Sequence, residues 1–223
     1  MPRAAEQADS SHDSTFTPRQ AAVLTCALSL LVEGGEKGLT TAGLARAANC
    51  SKESIYKWFG DRDGLLAAVV TFQASKVRPL GADEAALDAA SYRKRLVTFA
   101  RELLTVLAGD VSLALNRLAI GQASRPESPL GTLLVERGKH FVTARGRALL
   151  LAGKRQRHLV FDDANAAYST FYGLIVRDTH LRLLLGDALE PGEEDFSAQA
   201  ENAVNQFCRL YCTERSLEAL SNA

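Results

Sequence analysis

The stretch NCSKESIYKWFGDRDGLL, residues 49–66, restricts the possible folds of this chain more than any other segment. Ser51 is a good helix N-cap, and a glycine ends the helix after roughly seven residues. Ile55 and Phe59 lie four residues apart and share one face, whereas Lys57 lies on the opposite face. Because isolated helices shorter than ~12 residues are marginal in water, this helix must pack against other elements. Its polar side can then meet a partner.

Helical periodicity and capping signals continue on both sides of this stretch, so the chain is predicted to be all-α. The first helix opens with a capping box at residues 17–20 and ends at Gly34–Gly35. A second short helix starts at Thr40–Thr41 and ends at Asn49, a residue type that tolerates the left-handed conformation of a tight turn. Asp61 caps a fourth helix, which extends to about residue 78.

Composition and charge limit where the chain works and what it binds. The 223 residues are 47% hydrophobic and 23% charged, which is typical of a globular protein. The formal net charge is zero, so any nucleic-acid surface must be local. The N-terminal residues lack the apolar run of a signal peptide, and no apolar stretch reaches the ~18 residues of a membrane span. We therefore expect a cytoplasmic protein that does not insert into a membrane.

A change of character near Pro79 divides the chain into two predicted domains. Residues 1–16 form a disordered arm, residues 17–78 a helix-turn-helix domain and residues 79–223 a larger helical domain, with about nine helices in all. Further helices are predicted at residues 92–107, 111–122, 130–153 and 164–185, and a last one begins at residues 193–195.

Two short helices joined by a tight turn, with a supporting helix behind, form a helix-turn-helix, whose second helix usually enters the DNA major groove. Lysine and tyrosine side chains and serine and threonine hydroxyls can contact phosphates or base edges, and a glutamate either accepts from a cytosine amino group or weakens binding. The candidate DNA contacts are Thr40, Thr41, Ser51, Lys52, Glu53, Ser54, Tyr56 and Lys57. From periodicity alone, a merely solvated face on a small bundle is an equal alternative.

The order of residues in TTAGLARAANCSKESIYKWFGDRDGLL resembles the N-terminal domain of the tetracycline-repressor-like (TetR/AcrR) family of bacterial transcription regulators, without a gap. The resemblance implies that residues 51–56 belong to a recognition helix and that Arg62 takes the place of a phosphate-binding lysine. Asn49 stands where the family usually has glycine, and Trp58 where histidine is common. Residues from ELLTVLAGD to LLGD are similar to the C-terminal half of AefR-type regulators, which implies a ligand cavity and a dimer interface made by the last two helices.

The second domain contains polar residues within apolar helices, and these are candidates for the lining of a ligand pocket. Taken singly, each such residue is more often a satisfied structural residue than a ligand contact. The selected candidates are Asn116, His140, Tyr168, Tyr172 and Arg177. The helix at 164–185 is apolar around much of its circumference, so it is predicted to be buried by its own domain and by a partner copy, with an ordinary core helix as the alternative.

No other chemistry is indicated by the sequence. The four cysteines form no CxxC pair; burial as small hydrophobes is favoured over a redox or metal role for Cys208 and Cys212. The histidines lack partners at metal-ligand spacing, so no metal or cofactor is expected. No Ser/His/Asp, Cys/His or paired-carboxylate arrangement suggests an enzyme.

We therefore predict a dimeric, ligand-responsive DNA-binding regulator, a repressor released from double-stranded operator DNA by a small hydrophobic or amphipathic effector. The alternatives are a protein-interaction module and a helical enzyme that reuse the same scaffold.

Overall fold

The computed structural model describes residues 16–76, 87–123, 129–190, 192 and 195–221. These residues form eleven helices and no β-strand, when the continuous segment 130–155 is counted as one helix. That segment comprises Leu130–Leu133, the π-helical Leu134–Lys139 and His140–Arg155. The helices are α1 (Pro18–Gly38), α2 (Thr41–Ala47), α3 (Lys52–Phe59), α4 (Arg62–Ala74), α5 (Ala89–Ala108), α6 (Asp110–Gln122), α7 (130–155), α8 (Ala164–Val176), α9 (Thr179–Leu184), α10 (Ser197–Tyr211) and α11 (Glu214–Ser221).

Local capping chemistry explains where the N-terminal helices begin. At the start of α1, the Thr17 N–H donates to Gln20 Oε1 (2.8 Å) and the Gln20 N–H donates to Thr17 Oγ1 (3.3 Å), which is the predicted capping box. Asp61 Oδ1 accepts from the Gly64 N–H (2.8 Å) and caps α4. Gly35 has φ 58°, so regular helical geometry in α1 is interrupted where the glycine pair predicted its end.

The C-terminal helices differ from the prediction in two places. The helix expected at 164–185 is broken after Val176, because Arg177 adopts φ 49° and ψ −131°, and the chain restarts as α9. Gln199 holds this break, since its Nε2 donates to the Ile175 carbonyl (2.8 Å) and to Thr179 Oγ1 (3.0 Å). The helix expected from residue 193 begins instead at Ser197, because Phe196 is left-handed (φ 54°). The extra helix α11 follows it.

Some expectations fall outside the described residues. The N-terminal arm, most of the linker that follows residue 76, the break at residues 124–128 and the acidic residues 193 and 194 belong to this group. The division into domains at residue 78 therefore stays a prediction.

Two hydrophobic cores organise the molecule, and the first is not closed by α1–α4 alone. Leu115 and Ala119 of α6 and Leu130 of α7 are buried together with the apolar residues of α1–α4. The second core combines α5, α7, α8 and α10, and the rings of Phe171 and Phe207 lie inside it with centroids 4.6 Å apart. The helix-turn-helix thus shares its core with elements that also belong to the second half of the chain.

In the part of the chain that the structure describes, no single helix has both the length and the apolar character to cross a membrane. The bent pair Ala89–Ala108 and Asp110–Gln122, inclined at 60°, meets those two conditions only when taken together.

Helices α7 and α8 approach each other closely at Gly146. A Cβ atom built on Gly146 would lie 2.0 Å from Tyr168 Cε2 and 3.0 Å from Phe99 Cζ. We therefore expect Gly146→Ala to lower the free energy of unfolding by roughly 1–3 kcal/mol, measured by urea denaturation, because the buried Tyr168 ring must move. Gly121→Ala is the matched control, since nothing lies within 4 Å of that position. It should leave stability unchanged or raise it by up to ~1 kcal/mol. Equal losses in both variants would contradict this assignment.

Candidate functional site

Helix α3 presents a polar outer face over an apolar inner face. Ile55 and Phe59 are buried at 3% and 8% exposure, whereas Tyr56 is 54% exposed. Lys52 and Lys57 are also exposed. Trp58 is half-buried and packs edge-on against Phe59, with ring centroids 6.2 Å apart. The aromatic pair therefore stabilises the inner side of α3, and the cations and Tyr56 remain on the outer side.

Arg19 holds the turn between α2 and α3. Its Nη2 donates to the carbonyls of Ala48 (3.1 Å) and Asn49 (2.6 Å), which are otherwise without helical partners at the end of α2. Asn49 has φ 47°, the left-handed conformation expected for this residue in the turn. Sequence reasoning missed Arg19, because its partners lie 29 and 30 residues away.

The hydroxyl groups predicted to contact DNA also cap the helices. Thr40 Oγ1 accepts from the Gly43 N–H (3.0 Å), and Ser51 Oγ accepts from the Ser54 N–H (3.1 Å). The Ser51 and Ser54 hydroxyl oxygens lie 3.1 Å apart. A hydroxyl oxygen that accepts can still donate its own proton, so capping does not prevent Thr40 from binding a phosphate oxygen.

Glu53 is turned back toward the start of α3. Hydrogen bonds from its own backbone N–H, and then from the Ser51 hydroxyl, lower the pKa of this exposed carboxyl group. An anion at this position is also favoured by the helix dipole. Its carboxylate therefore stabilises the first turn of α3, and it does so without any contact to a DNA base.

A groove of about 360 Å³ lies between the end of α1 and the starts of α2 and α4, with α3 along one side. Leu39, Ile55 and Leu65 form its apolar part. Its polar residues supply hydroxyl groups and cations that suit a phosphate backbone, together with the Asp61 carboxylate that caps α4. Thr40, Thr41, Tyr56 and Arg62 of the predicted contacts lie here, and they are joined by Lys37, which was not predicted. Arg62 was selected only through the family resemblance, and the fold places it on the same groove as Tyr56.

A second concavity of about 290 Å³ lies in the helical bundle behind the helix-turn-helix. Its wall is contributed by α4–α9 and is mostly apolar. The residues with polar side chains in this wall are Gln73, Ser112, Asn116, Lys139, Thr143, Tyr168, Tyr172 and His180. We refer to this space as the α4 cavity, because Val70, Gln73 and Ala74 of α4 form part of it.

The predicted ligand residues divide into two groups. Asn116, Tyr168 and Tyr172 line the α4 cavity. His140 and Arg177 are exposed and do not line this cavity, so a role for them in ligand binding stays a prediction. His140 is on the outer side of α7, and Arg177 sits at the break that ends α8. The sequence shows that a polar residue lies within an apolar helix, but it does not show which face of that helix lines the cavity.

Burial sets the protonation of the groups in the cavity wall. It raises the pKa of Tyr168 to about 12, an effect that the nearby Thr143 hydroxyl partly offsets, and it raises the pKa of Tyr172 as well. Burial lowers the pKa of His180, although a hydrogen bond to the Leu107 carbonyl (3.2 Å from Nδ1) opposes this effect. These three side chains are therefore neutral near pH 7.

The end of α4 lines the cavity and also contacts the helical bundle. Arg145 of α7 donates from Nη1 to the Ala74 carbonyl (3.4 Å), and its guanidinium lies 3.8 Å from the centroid of the Phe141 ring. Arg117 of α6 donates to the carbonyls of Leu183 (2.6 Å) and Leu184 (3.0 Å) at the end of α9. Arg145 thus joins α4 to α7, and Arg117 joins α6 to α9, among the helices that form the cavity wall.

Within the described ranges, no three histidine, cysteine or acidic side chains are grouped so that they could hold a metal ion. Cys208 and Cys212 hydrogen bond to each other. That bond lowers the pKa of the Cys208 thiol and raises that of Cys212.

Comparison with known proteins relates both halves of the chain to regulators. Residues 23–69 match the model of bacterial regulatory proteins of the tetR family, and residues 94–213 match that of the AefR-like transcriptional repressor C-terminal domain. No curated protein shows significant similarity to the chain.

Solved structures agree with these matches. A TetR transcriptional regulator from Agrobacterium tumefaciens is 60% identical, with 91% of this chain and 99% of that chain covered and a TM-score of 0.79. A TetR-family regulator from Mesorhizobium loti is 22% identical over 87% and 97% of the two chains (TM-score 0.69). The flavonoid-responsive regulator FrrA is 22% identical over 88% and 98% (TM-score 0.63). The last two similarities concern the fold alone.

Proposed function

The chain belongs to the TetR family of bacterial transcriptional regulators, and from that premise we propose that it binds operator DNA through α3 and the adjoining groove. An effector in the α4 cavity then releases it. Such a regulator works where the bacterial chromosome lies, in the cytoplasm. The observation that carries the proposal is the polar outer face of α3, which is held over a buried apolar anchor and beside a groove with phosphate-binding chemistry.

The proposed DNA contacts fall into two kinds. Lys52, Tyr56 and Lys57 lie on the exposed side of α3, where they can reach base edges in the major groove. The hydroxyl groups and cations of the groove, including those of Thr40, Thr41 and Arg62, suit the phosphate backbone, which positions a protein without reading sequence. Ser51, Ser54 and Glu53 primarily shape the start of α3, and any contact they make is secondary to that role.

Lys57→Ala is expected to weaken operator binding while leaving the fold intact, because the side chain is exposed on α3. If Lys57 contacts a guanine, the loss is ~1–3 kcal/mol and is localised to one base position. Fluorescence anisotropy with operator variants measures it. Lys94→Ala, an exposed lysine on α5, is the matched control and should bind normally. Unchanged affinity for Lys57→Ala would remove Lys57 from the contact surface; Tyr56→Phe tests the neighbouring hydroxyl in the same way.

The effector acts through α4 in this proposal. Val70, Gln73 and Ala74 belong to the cavity wall, and Val70 is also part of the core of the helix-turn-helix half. A compound that fits the cavity better after a shift of α4 stabilises the form that cannot bind DNA, whereas equal affinity for both forms would change nothing. The expected coupling is ~1–3 kcal/mol and is reciprocal, so operator DNA weakens effector binding by the same factor.

We also propose a homodimer, because two-fold operators call for a two-fold protein. The supporting surface combines small exposed residues of α8 with exposed apolar residues nearby. Ala166 and Gly173 are exposed on α8, and nothing lies within 4 Å of a Cβ built on Gly173. Leu210 of α10 is 63% exposed, although α10 otherwise belongs to the core. Because α10 packs against α8, we propose that Leu210 and the small exposed residues of α8 belong to one surface that meets the partner copy.

The proposed function is tested in a gel-shift assay with the DNA that lies upstream of the protein's own gene. The protein should retard this DNA and should release it when small uncharged aromatic compounds are added. Sequence-specific, salt-sensitive retention is expected. Absence of specific binding would favour the protein-interaction module or the helical enzyme, two alternatives that the comparisons do not favour.

A further inference from the structure

Two buried polar atoms in the wall of the α4 cavity have no hydrogen-bond partner. They are Gln73 Oε1 and the Tyr168 hydroxyl. The Thr143 hydroxyl is close enough to lower the pKa of Tyr168, but it lies outside hydrogen-bond geometry. Gln73 is 8% exposed and Tyr168 is 5% exposed, so bulk water does not satisfy them. The third such atom among the described residues, Arg147 Nε, does not line this cavity. Because nearly all buried polar groups in folded proteins are paired, two unpaired atoms facing one cavity point to a ligand that pairs with both.

The rest of the wall restricts the charge of that ligand. Lys139 is the one side chain with a permanent charge among the lining residues, and it is exposed at the rim. His180 is neutral because burial lowers its pKa. Asn116 is already engaged, since its Nδ2 donates to the Ser112 carbonyl (2.8 Å). A buried charge on the ligand would therefore find no counter-charge in the interior of the cavity.

Gln73 also stands on the boundary between the cavity and the surface. A second groove, of about 540 Å³, opens between α4 and the junction of α5 with α6, and its polar wall includes Lys76, Arg101 and Asp110. Gln73 and Val106 line both this groove and the α4 cavity. Gln73 therefore lies within reach of a compound in either space.

We propose that the effector is an uncharged, mostly apolar compound that carries a hydrogen-bond donor for Gln73 Oε1 and an acceptor for the Tyr168 hydroxyl. This rests on the proposed function, in which the α4 cavity is the effector site. Tyr168 donates its hydroxyl proton to a carbonyl-type oxygen, and Gln73 Oε1 accepts from a hydroxyl or N–H group. The cavity volume of about 290 Å³ is at the lower end of the range for small-molecule sites, which suits a compact bicyclic skeleton.

The first experiment measures the affinity of defined probes for the full-length protein by calorimetry. The probes are 6-acetyl-2-naphthol, its methyl ether, which lacks the donor, and 2-naphthol, which lacks the ketone. The wild type should bind the first about 3- to 10-fold more tightly than either of the others, as expected for one hydrogen bond. Gln73→Leu should lose the preference for hydroxyl over methoxy and keep the preference for the ketone. Tyr168→Phe should show the reverse pattern.

The second experiment measures thermal stability without any ligand, so it does not depend on the choice of probe. Removing an unpaired buried polar atom should leave the Tm unchanged or raise it, which is the expected result for Tyr168→Phe and Gln73→Leu. Tyr92→Phe is the matched control, because Tyr92 is 3% exposed and its hydroxyl donates to the Leu149 carbonyl (3.2 Å). Gln122→Leu is the control for glutamine, since Gln122 is also 8% exposed but has a partner. Both controls should lower the Tm by about 2–4 °C.

The probe affinities and Tm values are measured without DNA, whereas the proposed function is tested by binding to operator DNA in a gel. A failure of one can therefore be distinguished from a failure of the other. The inference is supported if the two variants keep their Tm and exchange their probe preferences as described. It is overturned if Tyr168→Phe or Gln73→Leu lowers the Tm as much as its control. It is also overturned if the wild type binds the phenol and its ether equally or binds neither of them.

Discussion

Phe207→Ala is expected to lower the free energy of unfolding by about 3–5 kcal/mol, the typical cost of removing a buried aromatic side chain. Phe207 is fully buried in the second core. Its ring centroid lies 4.6 Å from that of Phe171 and 4.8 Å from that of Tyr211, so truncation removes two ring contacts and leaves a cavity. Guanidinium denaturation, followed by circular dichroism at one protein concentration, measures the loss.

The control for this variant is Ile120→Ala on α6, where the wild-type side chain is 63% exposed. Its stability should change by no more than about 0.5 kcal/mol. A loss below ~1 kcal/mol for Phe207→Ala would show that the second core is not packed around this ring. The position also illustrates why a charge at Phe207 is a poor probe of dimerisation: it would unfold the protomer before it disturbed an interface.

Leu210→Glu is expected to convert the protein to a monomer and to reduce operator affinity by roughly 10²–10⁴-fold. The protomer should stay folded, because Leu210 is 63% exposed on α10. In the proposed dimer the new carboxylate would be buried against the partner without a counter-charge. Loss of the second recognition helix then removes the gain that two linked half-sites provide. Light scattering gives the mass, and anisotropy titration gives the affinity.

Ile120→Glu is the matched control, since Ile120 has the same 63% exposure but lies on α6, outside the proposed interface. It should remain dimeric and bind the operator normally. Gly173→Glu tests the other helix, because the space beside Gly173 is open within the protomer. If Leu210→Glu and Gly173→Glu both remain dimers, the interface lies elsewhere.

Phe207 and Leu210 also show the limit of periodicity as a guide to interfaces. Ala200, Ala203, Val204 and Phe207 recur at helical spacing along α10, and this apolar stripe indicates that Phe207 faces other helices. It does not separate the core of the protomer from an interface between protomers, because both bury the same types of side chain. The distinction appears only when α5 and α8 are packed against α10 and Leu210 is left on the outside.

The sequence by itself determined those features that depend on atoms a few residues apart. Asn49 takes the left-handed turn, and Ser51 and Asp61 cap α3 and α4, because each of these interactions closes within three residues or fewer. The polar face of α3 follows in the same way, since a 3.6-residue period places Ile55 and Phe59 on one side and Lys57 on the other. The all-α class and the helix-turn-helix could therefore be predicted, together with most of the candidate DNA contacts.

Only the tertiary structure decided what joins distant segments. Arg19 holds the α2–α3 turn through carbonyls about thirty residues away, and no local pattern indicates such a bond. The wall of the α4 cavity combines six helices, so Gln73 and His180 could not be recognised as members, and His140 could not be excluded. Periodicity shows on which face of its own helix a residue lies. Which other helix or cavity that face meets depends on how the helices pack, and packing depends on the whole chain.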